Sequence, residues 1–288
     1  DLRRIDMDFI RIPFGNLIEN IVIWLTDNFS TFFDSITAII NVALNQFKAI
    51  LVWIPWPITI IIVMLLAWRF AGRRVALIAG LFLYLLGSFK LWTEGLNTLA
   101  LVATSVSVSV LLGLPLGILS ARYEPMHKVI RPILDGMQTI PSFVYLIPAV
   151  MLFGIGNVPG VMATVIFSLP PMVRLTNLGI RQVSSEAVEA GKAFGCTEWQ
   201  LLTKVQFPLA LPSIMTGINQ TVMMALSMSV TAAMIGAGGL GVKILYAIQR
   251  VHLSVGVEAG LGILFIAIIL DRILQGYSSR QKRARHLS

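Results

Sequence analysis

Side chains able to do chemistry are sparse in this chain, and most lose that reading once their setting is considered. Cys196 is the single cysteine, so no internal disulfide can form; with no second thiol and no histidine near it in sequence, it reads as filler. His127 stands alone among Arg122, Lys128 and Arg131 and reads as a solvated residue rather than a ligand. Gly236–Gly241, GAGGLG, has the spacing of a dinucleotide-binding turn. It follows an apolar run rather than a strand, and no βαβ unit surrounds it, so a nucleotide role is rejected and a turn outside the membrane is expected. No GxxxxGK[ST] run occurs, so the chain lacks the usual phosphate loop. What remains offers no catalytic residue, no metal ligand set and no cofactor of the chain's own.

The informative polar stretch is Glu186–Pro212, EAVEAGKAFGCTEWQLLTKVQFPLALP, set between two apolar runs. Ser184 and Ser185 can cap a helix start. Glu186, Val188, Glu189 and Lys192 then read as one helix, with Glu189 and Lys192 sharing a face at i,i+3. Gly195 ends it. Thr197 restarts it, with Gln200 three residues on in a capping-box pattern. Pro208 and Pro212 mark entry to the next apolar segment. The stretch therefore predicts a helix–turn–helix outside the hydrocarbon, tethered at both ends by membrane helices. A solvated connecting hairpin is the plain alternative to a docking element.

The elements that position it are membrane helices. The chain has 288 residues, 56% hydrophobic and only 12% charged, with mean hydropathy +0.82, a composition that excludes an ordinary soluble domain. Its net charge of +8 reads as Lys and Arg gathered in cytoplasmic loops rather than as a nucleic-acid surface, because no aromatic–basic interleaving is present. The fold class is all-α and polytopic, with about seven transmembrane helices. Residues 1–51 form an amphipathic segment, with apolar residues at helical spacing and charges spread along it, expected to lie on the outer membrane surface or to pack as a lid. Two accessory spans fall within 52–92. A core of five spans occupies 93–273 and includes the loop 184–212. A basic tail, 274–288, ends the chain.

Arg69, Arg73, Arg74, the 122–131 cluster and Arg174, Arg181, Lys192 and Lys204 put their loops inside, which sets the amino end outside and the carboxyl end in the cytoplasm. Arg3, Arg4, Arg11 and the Lys243–Arg250 stretch run against that count. The chain opens on Asp1 rather than Met, which leaves room for residues upstream, and no cleavable signal pattern is visible. The tail arginines, Arg280 to Arg285, read as a positive-inside anchor or as a salt-sensitive contact with anionic lipid.

Within Ser213–Ile235, Thr216, Gln220, Met224, Ser227, Thr231 and Met234 fall on one helical stripe, with Asn219 beside it. Polar groups in hydrocarbon face the protein interior or a water-filled route, so the stripe either bonds neighbouring helices or lines a solute path.

The polar stretch resembles the cytoplasmic loop of binding-protein-dependent ABC importer permeases, written EAA, three residues, G, nine residues, I, any residue, L, P. Glu189, Ala190 and Gly191 fill the triplet, with Gly for the second Ala. Gly195 fills the glycine, and Val205, Phe207 and Pro208 stand for I, L and P. In that family the loop docks a short helix into a groove on the ATPase subunit, a role the resemblance extends to the hairpin from Glu186 to Val205. The runs MQTIPSFVYLIPAVMLFGIGNVPG, LPPMVRLTNLGI and GINQTVMMALSMSVTAAMIGAGGLG look like the permease subunits of glycine betaine/proline betaine importers. That resemblance implies a type I permease fold in a bacterial plasma membrane and a homodimer of this chain. It implies two ATPase subunits that bind ATP and Mg, an external solute-binding protein, and quaternary-ammonium osmoprotectants as cargo. Choline, carnitine or proline are alternative cargoes. A self-sufficient secondary carrier or channel is the alternative class, although neither an acidic relay nor a filter-like run is present.

Overall fold

A computed structural model describes the backbone of residues 14–286 and the side chains of residues 15–279. Arg3, Arg4 and Arg11, and the side chains of Arg280 to Arg285, lie outside the described residues. Every regular element described is helical. In chain order they are α1 (Phe14–Asn28), α2 (Ser30–Trp53), α3 (Trp56–Ala71), α4 (Arg73–Ser88), α5 (Trp92–Arg122), α6 (Glu124–Thr139), α7 (Leu146–Phe153), α8 (Asn157–Arg181), α9 (Ser185–Ala193), the single turn α10 (Glu198–Gln200), α11 (Phe207–Ala232), α12 (Leu240–Arg250) and α13 (Leu253–His286).

Among the described residues, five helices are long and apolar enough to cross a membrane: Ser30–Trp53, Trp92–Arg122, Asn157–Arg181, Glu198–Ile235 and Leu253–Ser279. A sixth forms if α6 and the run Ser142–Phe153, bent by 108° across Pro141, count as one span. The expected seven are therefore distributed differently. The segment read as lying flat contains α2, whose second half from Ile36 to Trp53 carries Lys48 as its only charge. Its Ile40 and Leu44 pack beside Ala100, Leu101, Val158 and Val161. The accessory pair α3 and α4 has 16 residues in each helix, a rise of about 24 Å, shorter than the roughly 30 Å of a bilayer core.

Prolines explain most boundary differences. Pro115, Pro132, Pro170, Pro171 and Pro212 all sit inside helices, where neighbouring helices make up for the missing donor. Pro170 and Pro171 lie within α8, which continues to Arg181. Pro208 does not open a new segment, because the helix runs from Glu198 to Ile235. Six residues of it, Leu201–Gln206, are wound as a π-helix, closed by Phe207 N–H donating to Leu202 O. The widened turn falls directly before the residue that has no N–H to offer. The tail continues α13 as helix to His286.

The centre of the bundle is α5, α8 and α11. Small residues on α5 let α8 approach: a Cβ on Gly113 would lie 2.8 Å from Met172 Cγ. Close approach of this kind is how membrane helices gain packing energy without a hydrophobic drive between them. At one end of the bundle Leu240 N–H donates to Thr98 Oγ1 at 2.8 Å and Lys243 pairs with Glu94 at 3.2 Å, so the GAGGLG turn is pinned to the start of α5. The opposite end carries Arg122, Arg174, Arg181 and the polar hairpin.

Candidate functional site

The hairpin between α8 and α11 is built by local signals. Ser184 caps α9, its Oγ accepting from Ala187 N–H at 3.3 Å. The helix stops in a left-handed glycine: Gly195 has φ +76°. Gly195 N–H donates to Lys192 O at 2.9 Å and Cys196 N–H to Gly191 O at 3.1 Å, the paired bonds of a Schellman ending. Thr197 then opens α10. Gln200 N–H donates to Thr197 Oγ1 at 3.3 Å, and Thr197 N–H to Gln200 Oε1 at 2.9 Å. Each such cap contributes about 1 kcal/mol, so the hairpin is stiff for its size.

The motif residues fall into two groups. Gly191 is buried, and a Cβ there would lie 2.8 Å from Leu201 Cδ1 and 3.5 Å from Val205 Cγ2. Glycine stands where the motif has a second alanine because the two limbs cross at that point. Phe207 is half-buried and packs with Ile180, Leu202, Ala210 and Ile214, seating the hairpin on α8. Pro208 is half-buried beside it. Glu186, Glu189, Ala190 and Gly195 face outward. The structure adds two residues to that outer face. Phe194 is 89% exposed and Trp199 is 68% exposed. They are the only aromatic residues between Ser184 and Gln206, and that isolation in a polar loop is the sequence signal that could have found them.

The stripe on α11 also separates. Thr216, Gln220, Ser227 and Met234 are exposed, and Met224 and Thr231 are half-buried. The opposite face packs on α8, where a Cβ on Gly217 would meet Leu175 Cβ at 3.2 Å. Thr216 Oγ1 donates within its own helix to Pro212 O at 3.0 Å. Asn219 does not join the stripe. Its Nδ2 donates to Asp271 Oδ1 of α13 at 2.9 Å, and Gln275 Nε2 reaches the same oxygen at 2.6 Å. Its other polar atom, Oδ1, is buried without a partner.

Around the hairpin's base, charged groups tie helix ends together. Arg122, the last residue of α5, donates to Glu198 Oε2 at 2.9 Å and to Glu198 O at 3.4 Å. Arg181 bridges Ser120 O at 3.1 Å and Glu124 Oε2 at 2.9 Å. Arg174 pairs with Asp135. His127 is not simply solvated: it is half-buried, with Nδ1 3.3 Å from Ser120 Oγ and 3.5 Å from Asn177 Nδ2. Among the described residues no group of three His, Cys, Asp or Glu side chains forms a metal site.

A central packed trio of helices thus carries a stiff, aromatic-tipped hairpin between two of its members. Residues 113–283 match the family described as binding-protein-dependent transport system inner membrane component, and the chain belongs to that family. It is thus a membrane component and not the ATPase of such a system, and the carrier or channel alternative gives way. Among its relatives, the glycine betaine/proline betaine transport system permease protein ProW of Escherichia coli is 45% identical, over 95% of this chain and 77% of that protein. The glycine betaine transport system permease protein OpuAB of Bacillus subtilis is 46% identical, over 94% of this chain and 96% of that one. The glycine betaine/carnitine transport permease protein GbuB of Listeria monocytogenes is 46% identical, over 94% and 97%. In fold, the chain is similar to inward-facing structures of the MetNI methionine ABC transporter, with a TM-score of 0.57 and 23% identity, covering 67% of this chain and 95% of that one.

Proposed function

We propose that the chain is the transmembrane subunit of an ATP-driven importer of quaternary-ammonium osmoprotectants of the glycine betaine and proline betaine class. Two copies would form the translocation path, two ATPase subunits would bind ATP and Mg on the cytoplasmic side, and an external binding protein would deliver the solute. In this reading the amino end is outside and the tail is cytoplasmic, so the hairpin faces the cytosol. Selectivity rests chiefly in the binding protein, where aromatic faces can hold a quaternary ammonium.

The observation that carries the reading is Phe194. A hairpin sealed around Gly191 presents an 89% exposed aromatic ring at its tip. A ring left bare on a rigid support is suited to fill a pocket on a partner. The outward Glu186, Glu189 and Ala190 flank it, while Gly191, Gly195, Val205, Phe207 and Pro208 hold its shape. ATP-driven closure of the ATPase pair would move the hairpin and rock α8 and α11. The stripe of exposed Thr216, Gln220, Ser227 and Met234 with half-buried Met224 and Thr231 would line the path between copies.

The test is reconstitution of the complete complex in vesicles. ATP-dependent glycine betaine uptake that needs both the ATPase and the binding protein supports the reading. Uptake by the chain alone, or uptake of a different solute only, overturns it.

A further inference from the structure

Leu202 and Phe207 seat the hairpin's second limb in an apolar cluster with Ile180 of α8 and Ile118 and Ala121 of α5; beyond that seat, the hairpin meets the bundle at two covalent points and one polar one. Its first limb leaves α8 through Gln182–Ser184, outside any helix. Its second limb leaves through the π-turn and Pro208, where the α-helical bonding pattern is interrupted. The first is a short non-helical link, while the second is packed through the buried Leu201 and Leu202. Apolar packing is non-directional, so a stiff body held this way can still tilt on its seat. The third point is Arg122. Its side chain is only 25% exposed, and it reaches both the carboxylate and the backbone oxygen of Glu198. The backbone of Glu198 is held by the Thr197–Gln200 capping box around it, while its side chain is 71% exposed.

The far side of this contact is equally well held. Arg181 and Asn177 of α8 bond Ser120, two residues before Arg122 in α5, at 3.1 Å and 3.0 Å. Arg181 also holds Glu124 at the start of α6. The end of α5, the start of α6 and the end of α8 therefore form one clamped unit.

We infer that Arg122 and Glu198 are positioning residues that remove the hairpin's remaining rotation and carry its displacement into α5. This rests on the reading of the hairpin as the ATPase-docking element. With the contact made, a push on the hairpin moves α5, α8 and α11 together. Without it, part of the push is spent in tilting the hairpin on its apolar seat. ATP would still be hydrolysed, but less solute would cross for each turnover. An ion pair of this exposure is weak as a source of stability, so its loss should leave assembly intact.

The experiment uses the whole complex, with Arg122→Glu, Glu198→Arg and the double exchange, reading uptake per ATP hydrolysed and retention of the ATPase during purification. Each single reversal is expected to lower uptake per ATP by about fivefold, the upper end for a pair of this kind, with the ATPase retained. The double exchange is expected to restore it, as a direct pair requires. Unchanged uptake per ATP in both single reversals, or an assembled double exchange that stays uncoupled, overturns the inference. Phe194→Ala in the same assay separates the two claims. If it retains the ATPase normally, the docking reading itself falls. If it releases the ATPase while the reversals stay coupled, only the third anchor falls.

Discussion

Any Cβ placed on Gly191 would stand 2.8 Å from Cδ1 of Leu201, so the two limbs of the hairpin touch through the absence of a side chain. Gly191→Val should wedge them apart at a cost of about 1–3 kcal/mol. The expected outcome is faster amide exchange across residues 185–200 and loss of copurifying ATPase. Leu201→Ala added to Gly191→Ala should recover part of the retention. Exchange unchanged in Gly191→Val would remove the packing argument.

Phe194 makes the opposite kind of prediction, because its side chain is left bare by the described residues. Phe194→Ala should leave the melting temperature of the purified subunit unchanged and weaken ATPase binding by about 2 kcal/mol, roughly 30-fold. Binding measured by titrating purified ATPase onto the subunit in nanodiscs checks it.

Ser227 lies midway along the exposed stripe of α11. Ser227→Trp should abolish uptake while the ATPase is still retained. A tryptophan at Leu111, which is 71% exposed on α5, should have little effect, since exposed substitutions cost within about 0.5 kcal/mol. Equal uptake by both variants would take the stripe out of the path.

Asn219 is predicted to act on stability rather than transport. Asn219→Leu removes one of the two donors to Asp271 Oδ1 and should destabilise the subunit by about 1–3 kcal/mol, seen as a lower melting temperature in detergent. Uptake per folded complex should persist. Loss of uptake at unchanged stability would return Asn219 to the path.

The hairpin was legible because its signals are short-range. Ser184, Gly195 and the Thr197–Gln200 pair act within four residues of themselves, and each stands where its chemistry demands. The spans were less legible. Reading 14–51 as one amphipathic unit averaged the charges of Glu19, Asp27 and Asp34 into the apolar run after Ile36. Pro208 and Pro212 read as the entry to a new segment, yet both lie within the helical run Glu198–Ile235, whereas Pro141 sits at the 108° bend after α6. Asn219 illustrates the remaining gap. Helical spacing puts it next to Gln220's face, but its orientation is decided by a carboxylate 52 residues away. Phe194 and Trp199 were visible as letters, and only the fold reveals that the described residues leave them largely exposed.

The π-wound stretch from Leu201 to Gln206 has a further consequence. Everything after it is indexed by how many residues that broad coil takes up. Removing one would turn the rest of the long helix by about 100°, one residue's share of a 3.6-residue turn. The azimuth at which Gln220 and Ser227 look out is thus dialled in at Leu201–Gln206, beside the hairpin and several turns away from either residue.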